Sequence, residues 1–163
     1  MSLIAVSDLS FCYEGSSEPV LEHVSFQIDT DWKLGFTGRN GRGKTTFLRL
    51  LQGLYEYEGS ITASVEFDYF PFDVEDEQAD TLEVILSRMP EVEFWRLRRE
   101  LARLQLEEEV LYRPFDTLSY GEQTKVLLAA LFLRENHFLL IDEPTNHLDR
   151  EGRALLGEYL AEK

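Results

Sequence analysis

The chain has few cysteines, few basic residues and no long apolar run. Its single cysteine, Cys12, cannot form an intrachain disulfide, so a reducing compartment is compatible with the sequence. No stretch of about 18 apolar residues could span a bilayer, and the first residues lack the basic start and apolar core of a signal peptide. We therefore expect a cytoplasmic protein that does not insert directly into a membrane.

Basic residues are also scarce relative to acidic ones. The 31 acidic and 16 basic residues give a net charge of -15, which opposes broad contact with a nucleic-acid backbone. A solvated acidic surface is the simplest explanation of this charge. With 163 residues, 44% of them hydrophobic, the chain is about one domain long and can bury a sizeable core.

Three glycines mark a phosphate-binding loop. The segment fits the pattern G-x-x-x-x-G-K-[ST] and consists of Gly38, Arg39, Asn40, Gly41, Arg42, Gly43, Lys44, Thr45 and Thr46. It follows a β-rich run over 32–37 and precedes a helix expected over 45–51. We expect the glycines to adopt positive φ and to bring backbone N–H donors close to phosphate oxygens. Lys44 would reach the β- and γ-phosphates of ATP, and the Thr45 hydroxyl would bind Mg²⁺.

Residue patterns predict the other elements. Alternating apolar residues predict two strands over 4–13 and 20–28, so we expect an antiparallel β portion before the loop, and a further strand is predicted over 60–70. An acidic loop over 73–80 precedes a helix, with Asp80 and Glu83 spaced as a capping box. An amphipathic helix over 94–104 carries the chain's one basic cluster, and we interpret this cluster as a solvated helix face paired with nearby glutamates. A mostly buried helix is expected over 121–134 and a last helix over 150–160.

A second motif ends the apolar run 138–142. This run is typical of a strand in a central parallel sheet covered on both faces, and it ends in Asp142 and Glu143, the pattern known as Walker B. Asp142 would hold Mg²⁺, directly or through water. Glu143 would polarise the water that attacks the γ-phosphate and act as the general base.

A third motif identifies a family. The segment Leu118, Ser119, Tyr120, Gly121, Glu122 and Gln123 resembles the signature of ABC ATPases and precedes the Walker B pattern as in that family. The resemblance implies an α/β fold, a P-loop NTPase core with an antiparallel β subdomain and a short helical subdomain. It covers essentially all of residues 1–163, with about 73–120 forming the helical and signature subdomain. In that family the signature caps the ATP of a second ABC ATPase domain in a head-to-tail pair, so Ser119 would donate to a γ-phosphate in trans.

The resemblance also assigns roles to residues at both ends of the chain. Tyr13 occupies the position of the aromatic residue that stacks on adenine, with Phe11 as the alternative, and a core or edge aromatic remains possible for either. The D-loop follows Glu143 and contains His147 and Asp149, of which His147 would contact the dimer interface. A surface histidine is the other interpretation of His147. This form of the D-loop looks most like the ABC-F branch, whose members are soluble tandem ATPases that act on ribosomes.

Three departures from the family pattern bear on function. Transporter domains have Gln where this chain has Phe72, and a phenyl ring cannot bind a metal, although Gln78 could be a displaced equivalent. Tyr120 stands where the signature has Gly, and could narrow the approach of phosphate or add a contact. No histidine follows the D-loop, so the family's switch histidine and its strand are missing. We expect a truncated piece of a longer protein, its first ATPase domain.

Three hypotheses follow. The leading one is an ATP-dependent, ribosome-associated ABC-F factor with a translation or antibiotic-resistance role. The alternative is the ATP-binding subunit of an ABC membrane transporter. A binding module that no longer turns over is compatible with either, and the isolated chain is predicted to bind ATP but to hydrolyse it at well under ~1 per second.

Overall fold

A computed structural model describes residues 2–163, which divide into two units. The first contains residues up to Tyr69 together with Asn136–Leu140, and the second contains Phe70–Glu135 and Ile141–Lys163. Among residues 2–163, no helix is both long and apolar enough to cross a membrane. The α/β class predicted from the sequence is confirmed.

The first unit is built on a three-stranded sheet in the order β2-β1-β3. Strand β1 (Leu3–Phe11) pairs antiparallel with both β2 (Leu21–Asp29) and β3 (Glu58–Ala63). Apolar residues of β1 enter the core in two period-2 pairs, which are separated by an irregularity in the strand pairing after Val6. Helix α1 (Lys44–Leu51) adds three buried apolar residues. The buried set is Ile4, Val6, Leu9, Phe11, Phe47, Leu50, Leu51 and Leu140. The predicted antiparallel β portion is therefore present.

The β-rich run over 32–37 does not form a strand. No strand lies between Asp29 and Lys44, and Trp32, Leu34 and Phe36 are 56%, 55% and 54% exposed. The prediction was wrong because β propensity is realised only where a neighbouring strand supplies hydrogen bonds and packing.

The strand predicted over 60–70 is two strands, which belong to different sheets. Strand β3 ends at Ala63, and β4 (Glu66–Phe70) pairs instead with β5 (His137–Ile141). The chain changes partner at the bend of residues 64 and 65, which a continuous run of β-forming residues does not reveal. Within β5 only Leu140 is fully buried, so the expected coverage of that strand on both faces is also wrong.

The second unit contains four α-helices and two short 3-10 helices. The α-helices are α2 (Thr81–Arg88), α3 (Phe94–Arg103), α4 (Tyr120–Leu131) and α5 (Arg150–Glu162). The predicted helices are confirmed within a few residues at their ends. Helix α3 buries Leu97 and Leu101 and packs against α4, whose residues 126–131 are all buried. The amphipathic helix and the mostly buried helix were therefore predicted correctly.

The capping box expected at the start of α2 is absent. Asp80 is the N-cap residue, but its side chain makes no capping hydrogen bond. Its backbone forms a β-bridge with Pro114, and the Thr81 hydroxyl donates to the Arg113 carbonyl at 2.9 Å. This tie to a distant segment fixes the start of the helix in place of a local cap.

Candidate functional site

Two of the three P-loop glycines have the positive φ that the sequence predicted. Gly41 and Gly43 have φ of 76° and 86°, in the left-handed region, and Gly43 is the N-cap of α1. A Cβ at Gly43 would lie 2.6 Å from Cγ1 of Val20, so no larger residue fits there without movement. Gly38 lies outside the left-handed region, and a Cβ there would make only ordinary contacts with Lys44.

Lys44 folds back over the start of this loop. Its ammonium donates to the Gly38 carbonyl at 2.5 Å and to the Arg39 carbonyl at 3.0 Å. The first turn of α1 contains no acidic residue, so the positive end of the helix dipole and the lysine leave a positive region at the helix start. This charge distribution and the close approach permitted by the glycines fit a phosphate group.

Tyr13 lies beside the loop and is hydrogen-bonded to helix α1. The Tyr13 and Thr46 hydroxyls form a 2.6 Å hydrogen bond, and the Tyr13 ring meets Phe11 and Tyr55 edge-on, with centroids 4.9 and 5.7 Å apart. Tyr13 is 42% exposed whereas Phe11 is 8% exposed, so Tyr13 has the accessible ring of the two candidates for stacking. A hydrogen bond from Arg49 to the Tyr55 hydroxyl lowers the pKa of Tyr55.

The Walker B carboxylates follow β5 in the second unit. The Asp142 N–H donates to the Phe70 carbonyl at 3.0 Å, which extends the pairing of β4 with β5 to the motif. Glu143 is exposed and has φ of 47°, a left-handed conformation that is unfavourable for a residue with a side chain. Such strain is concentrated at functional positions in proteins. Among residues 2–163, no group of three or more His, Cys, Asp or Glu side chains could hold a metal on its own.

The signature segment begins helix α4 with a capping box. The Ser119 hydroxyl accepts from the Glu122 N–H at 3.2 Å, and the Glu122 carboxylate accepts from the Ser119 N–H at 2.7 Å. A Cβ at Gly121 would lie 3.3 Å from Cδ2 of Leu148, so the glycine lets the signature pack against the D-loop. The Gln123 amide donates to the Phe115 carbonyl at 3.0 Å. These contacts fix the conformation of the signature.

The signature and the D-loop also meet through an aromatic pair. Tyr120 is 70% exposed, and its ring centroid lies 5.1 Å from that of His147 at an interplanar angle of 31°. No feature of the sequence indicated this pair, apart from the unusual Tyr120. Asp149 accepts from the Gly152 N–H at 2.7 Å as the N-cap of α5, a role that its position before the helix could have indicated. Tyr120 thus makes an additional contact within its own unit.

Phe72 is a packing residue. It is 7% exposed, and the Arg88 guanidinium lies over its ring at 4.7 Å from the centroid. Gln78 lies in an exposed turn, where its N–H donates to the Asp76 carboxylate at 3.0 Å. Phe72 and Gln78 therefore have different surroundings, the one buried and the other on the surface.

Known proteins resemble the chain in sequence and in fold. The family model described as ABC transporter matches residues 21–146. ABC transporter F family member 3 of Arabidopsis thaliana is 34% identical over 154 residues, covering 90% of this chain and 21% of that protein. ATP-binding cassette sub-family F member 2 of Mus musculus is 33% identical over 168 residues, covering 98% of this chain and 27% of that protein. The chain thus spans about a quarter of these relatives.

Solved structures share the fold. The structure of an ABC transporter ATP-binding protein from Pyrococcus furiosus superimposes with a TM-score of 0.81 at 22% identity, covering 98% of this chain and 85% of that one.

Proposed function

Because the chain belongs to the ABC transporter family, we propose that it binds and hydrolyses ATP as part of a cytoplasmic, ribosome-associated protein of the F branch. The observation that carries the ATP part is the left-handed Gly43 at the start of α1, packed so closely on Val20 that a larger residue would have to displace the Val20 side chain. A loop of this conformation places backbone donors where a triphosphate needs them.

We assign the roles in ATP binding as follows. The backbone of residues 38–46 surrounds the phosphates, Lys44 exchanges its carbonyl partners for phosphate oxygens, and the exposed ring of Tyr13 stacks on adenine. Thr45 and Asp142 would each offer an oxygen ligand to Mg²⁺, which prefers one or two protein oxygens together with substrate phosphates. Bound Mg²⁺ would neutralise charge that develops on the phosphates.

Glu143 is the proposed general base. Its carboxylate is exposed to solvent, where a water molecule could be held for attack on the γ-phosphate. The left-handed backbone at this residue constrains the direction in which the side chain leaves the strand. Both features support a positioned base in preference to a structural ion pair.

A second ATPase domain completes the proposed reaction. The start of α4 carries Ser119 in a capping box, and its neighbouring N–H groups form the positive end of a 12-residue helix. In a head-to-tail pair this end would face the γ-phosphate bound by the other domain. Closure of the pair on ATP and reopening after hydrolysis would be the mechanical output.

The choice of branch rests on relatives and on two residues. Two relatives carry family F names, and His147 of the D-loop belongs to the form of that motif which resembles this branch. Phe72, buried under Arg88, occupies the place of the transporter glutamine without its metal-binding oxygen. The family model described as ABC transporter keeps the transporter subunit as the competing function.

The test is the full-length protein carrying Glu143→Gln, with Glu158→Gln on α5 as the matched control, since Glu158 is also exposed. We expect Glu143→Gln to bind ATP but to hydrolyse it about 100-fold or more slowly, as loss of a general base predicts. The control should hydrolyse ATP like the parent protein. Normal hydrolysis by Glu143→Gln would show that Glu143 is not the base.

Sedimentation of the trapped Glu143→Gln protein tests the branch. With ATP present, it should travel with ribosomes in a sucrose gradient and be released when ATP is omitted. Recovery in the membrane fraction alone would overturn the ribosome proposal in favour of the transporter subunit.

A further inference from the structure

Helix α3 presents a cluster of basic residues in this acidic protein. Within ten residues it carries Arg96, Arg98, Arg99 and Arg103, a quarter of the 16 basic residues of the chain. Its apolar side, with Leu97 and Leu101, is buried. The side that remains faces solvent, and we call it the α3 surface; it consists of Phe94, Trp95, Arg98, Arg99 and Arg103.

Aromatic rings and guanidinium groups are stacked on the α3 surface. The Arg99 guanidinium lies 5.6 Å from the centroid of the Trp95 ring, and that of Arg98 lies 5.9 Å from the centroid of Phe94. Trp95 is 59% exposed, an unusually open position for so large an apolar side chain. An exposed tryptophan ring beside an arginine can stack with another planar group.

The arginines of the α3 surface keep donors for a partner. The Arg98 guanidinium lies 2.6 Å from the Glu108 carboxylate, and the Arg99 guanidinium lies 3.7 Å from the Glu100 carboxylate. The side chains of Arg98 and Arg99 nevertheless remain 56% and 57% exposed. A guanidinium has five N–H donors, so one carboxylate leaves most of them available. By contrast, Arg96 is only 29% exposed and lies 3.1 Å from Glu135, so it is left out of the surface.

We propose that the α3 surface binds RNA, with Trp95 stacking on an unpaired base and Arg98 and Arg99 contacting phosphates. Proteins that recognise RNA loops stack unpaired bases on aromatic rings and guanidinium planes. This inference rests on the proposed association with ribosomes, for which it names a contact and the class of partner. The net charge of -15 restricts such a contact to a small patch, and α3 supplies one.

A membrane is a less suitable partner for the same residues. Interfacial helices insert an apolar face several ångströms into the lipid, and the apolar face of α3 is already occupied by Leu97 and Leu101 in the protein core. An acidic peptide would satisfy the arginines but would leave the exposed Trp95 ring without a planar partner. RNA can contact both the arginines, through its phosphates, and the Trp95 ring, through an unpaired base.

The class of partner can be identified by photo-crosslinking. Full-length protein carrying p-benzoylphenylalanine in place of Trp95 would be irradiated with purified ribosomes and ATP. We expect an adduct that ribonuclease digestion shortens, which shows ribosomal RNA at this position. An adduct to protein, an adduct to lipid when membranes are added, or the absence of any adduct would overturn the proposal.

Affinity for ribosomes tests the individual side chains. Trp95→Ala should weaken binding on the order of tenfold, as expected for a lost base stack. The slope of log affinity against log salt concentration is negative, and the double variant Arg98→Gln/Arg99→Gln should reduce its magnitude by roughly 1.4 to 1.8, about 0.7 to 0.9 for each lost phosphate contact. The matched control is Glu108→Gln, which removes the carboxylate beside Arg98 and should strengthen binding. Circular dichroism and thermal melting check that each variant is folded.

Two outcomes separate this inference from the function on which it rests. If the parent protein binds ribosomes and the three variants bind equally well with the same salt slope, the α3 surface is not the contact, and the proposed function stands. If the parent protein does not bind ribosomes at all, the proposed function fails and the inference falls with it.

Discussion

Replacing Tyr159 by Phe should destabilise the second unit by removing one hydrogen bond to a buried charge. The Tyr159 hydroxyl donates to the Glu100 carboxylate at 2.7 Å, and the two residues are 3% and 1% exposed. Lys163 also donates to this carboxylate. A hydrogen bond to a charged group contributes about 1.5 to 3 kcal/mol. In a chain of this size that corresponds to a fall in Tm of roughly 3 to 12 °C.

Tyr112→Phe is the matched control for Tyr159→Phe. Its hydroxyl donates to Glu108 at 3.2 Å, but Tyr112 is 56% exposed, so water can replace the lost bond. Differential scanning calorimetry of both variants at pH 7 should show a large loss of stability for Tyr159→Phe and almost none for Tyr112→Phe. Equal melting temperatures for the two variants would refute the assignment of a stabilising role to the buried pair.

The same pair predicts a dependence on pH. Burial would raise the pKa of Glu100, but hydrogen bonds from Lys163 and Tyr159 outweigh burial and hold the pKa below its usual value of 4.5. A carboxyl group with a lowered pKa in the folded state stabilises the protein above pH 4.5 and loses that contribution as pH falls through the folded pKa. The difference in Tm between the parent protein and Tyr159→Phe should therefore shrink as the pH is lowered below that range. A difference that stays constant or grows would contradict the charged state of Glu100.

Two further predictions concern the first unit. Gly43→Ala should abolish ATP binding and lower Tm, because it adds a 2.6 Å clash with Val20 to the left-handed penalty of about 1 to 2 kcal/mol. Gly15→Ala is the control: Gly15 also has positive φ but has open space around it, so this variant should lower Tm by the left-handed penalty alone. ATP binding by Gly43→Ala, measured by titration calorimetry, would exclude the assigned loop geometry. The pKa of His23 should lie above 6.5, because the Asp8 carboxylate accepts a 2.7 Å hydrogen bond from its ring and attracts its charge. The resulting stabilisation is present below pH 6.5 and is lost as pH rises through the pKa of His23 in the folded protein. In the Asp8→Asn variant, NMR titration should find the pKa of His23 closer to 6.5. An unchanged pKa would show that Asp8 is not the cause of the shift.

Much of the fold could be predicted because its signals are local. The period-2 pattern of β1 and the amphipathic spacing of α3 each act within one element, and both elements formed close to their predicted bounds. The glycine pattern of the P-loop also acts locally, since positive φ at Gly41 and Gly43 is a property of the residue type.

The errors concern pairing between distant segments. The run over 32–37 has the composition of a strand but lies in none, and the run over 60–70 is divided between two sheets. Asp80 was expected to cap α2, but its backbone is held by Pro114 instead. In each case the presence or absence of a pairing partner far along the chain decided the outcome, and the local residue pattern does not reveal that partner.

The sequence by itself determined the family, the order of the three motifs and the identity of the candidate ATP-binding and catalytic residues, because these depend on residue types at fixed spacing. Only the tertiary structure decided that Tyr13 is the accessible aromatic residue and that Phe72 is buried. It also decided that the Trp95 ring and the Arg99 guanidinium lie together on one exposed face, with the Glu100 carboxylate 3.7 Å from that guanidinium. Exposure and stacking depend on how helices and strands pack, and packing involves contacts between residues that are remote in the chain.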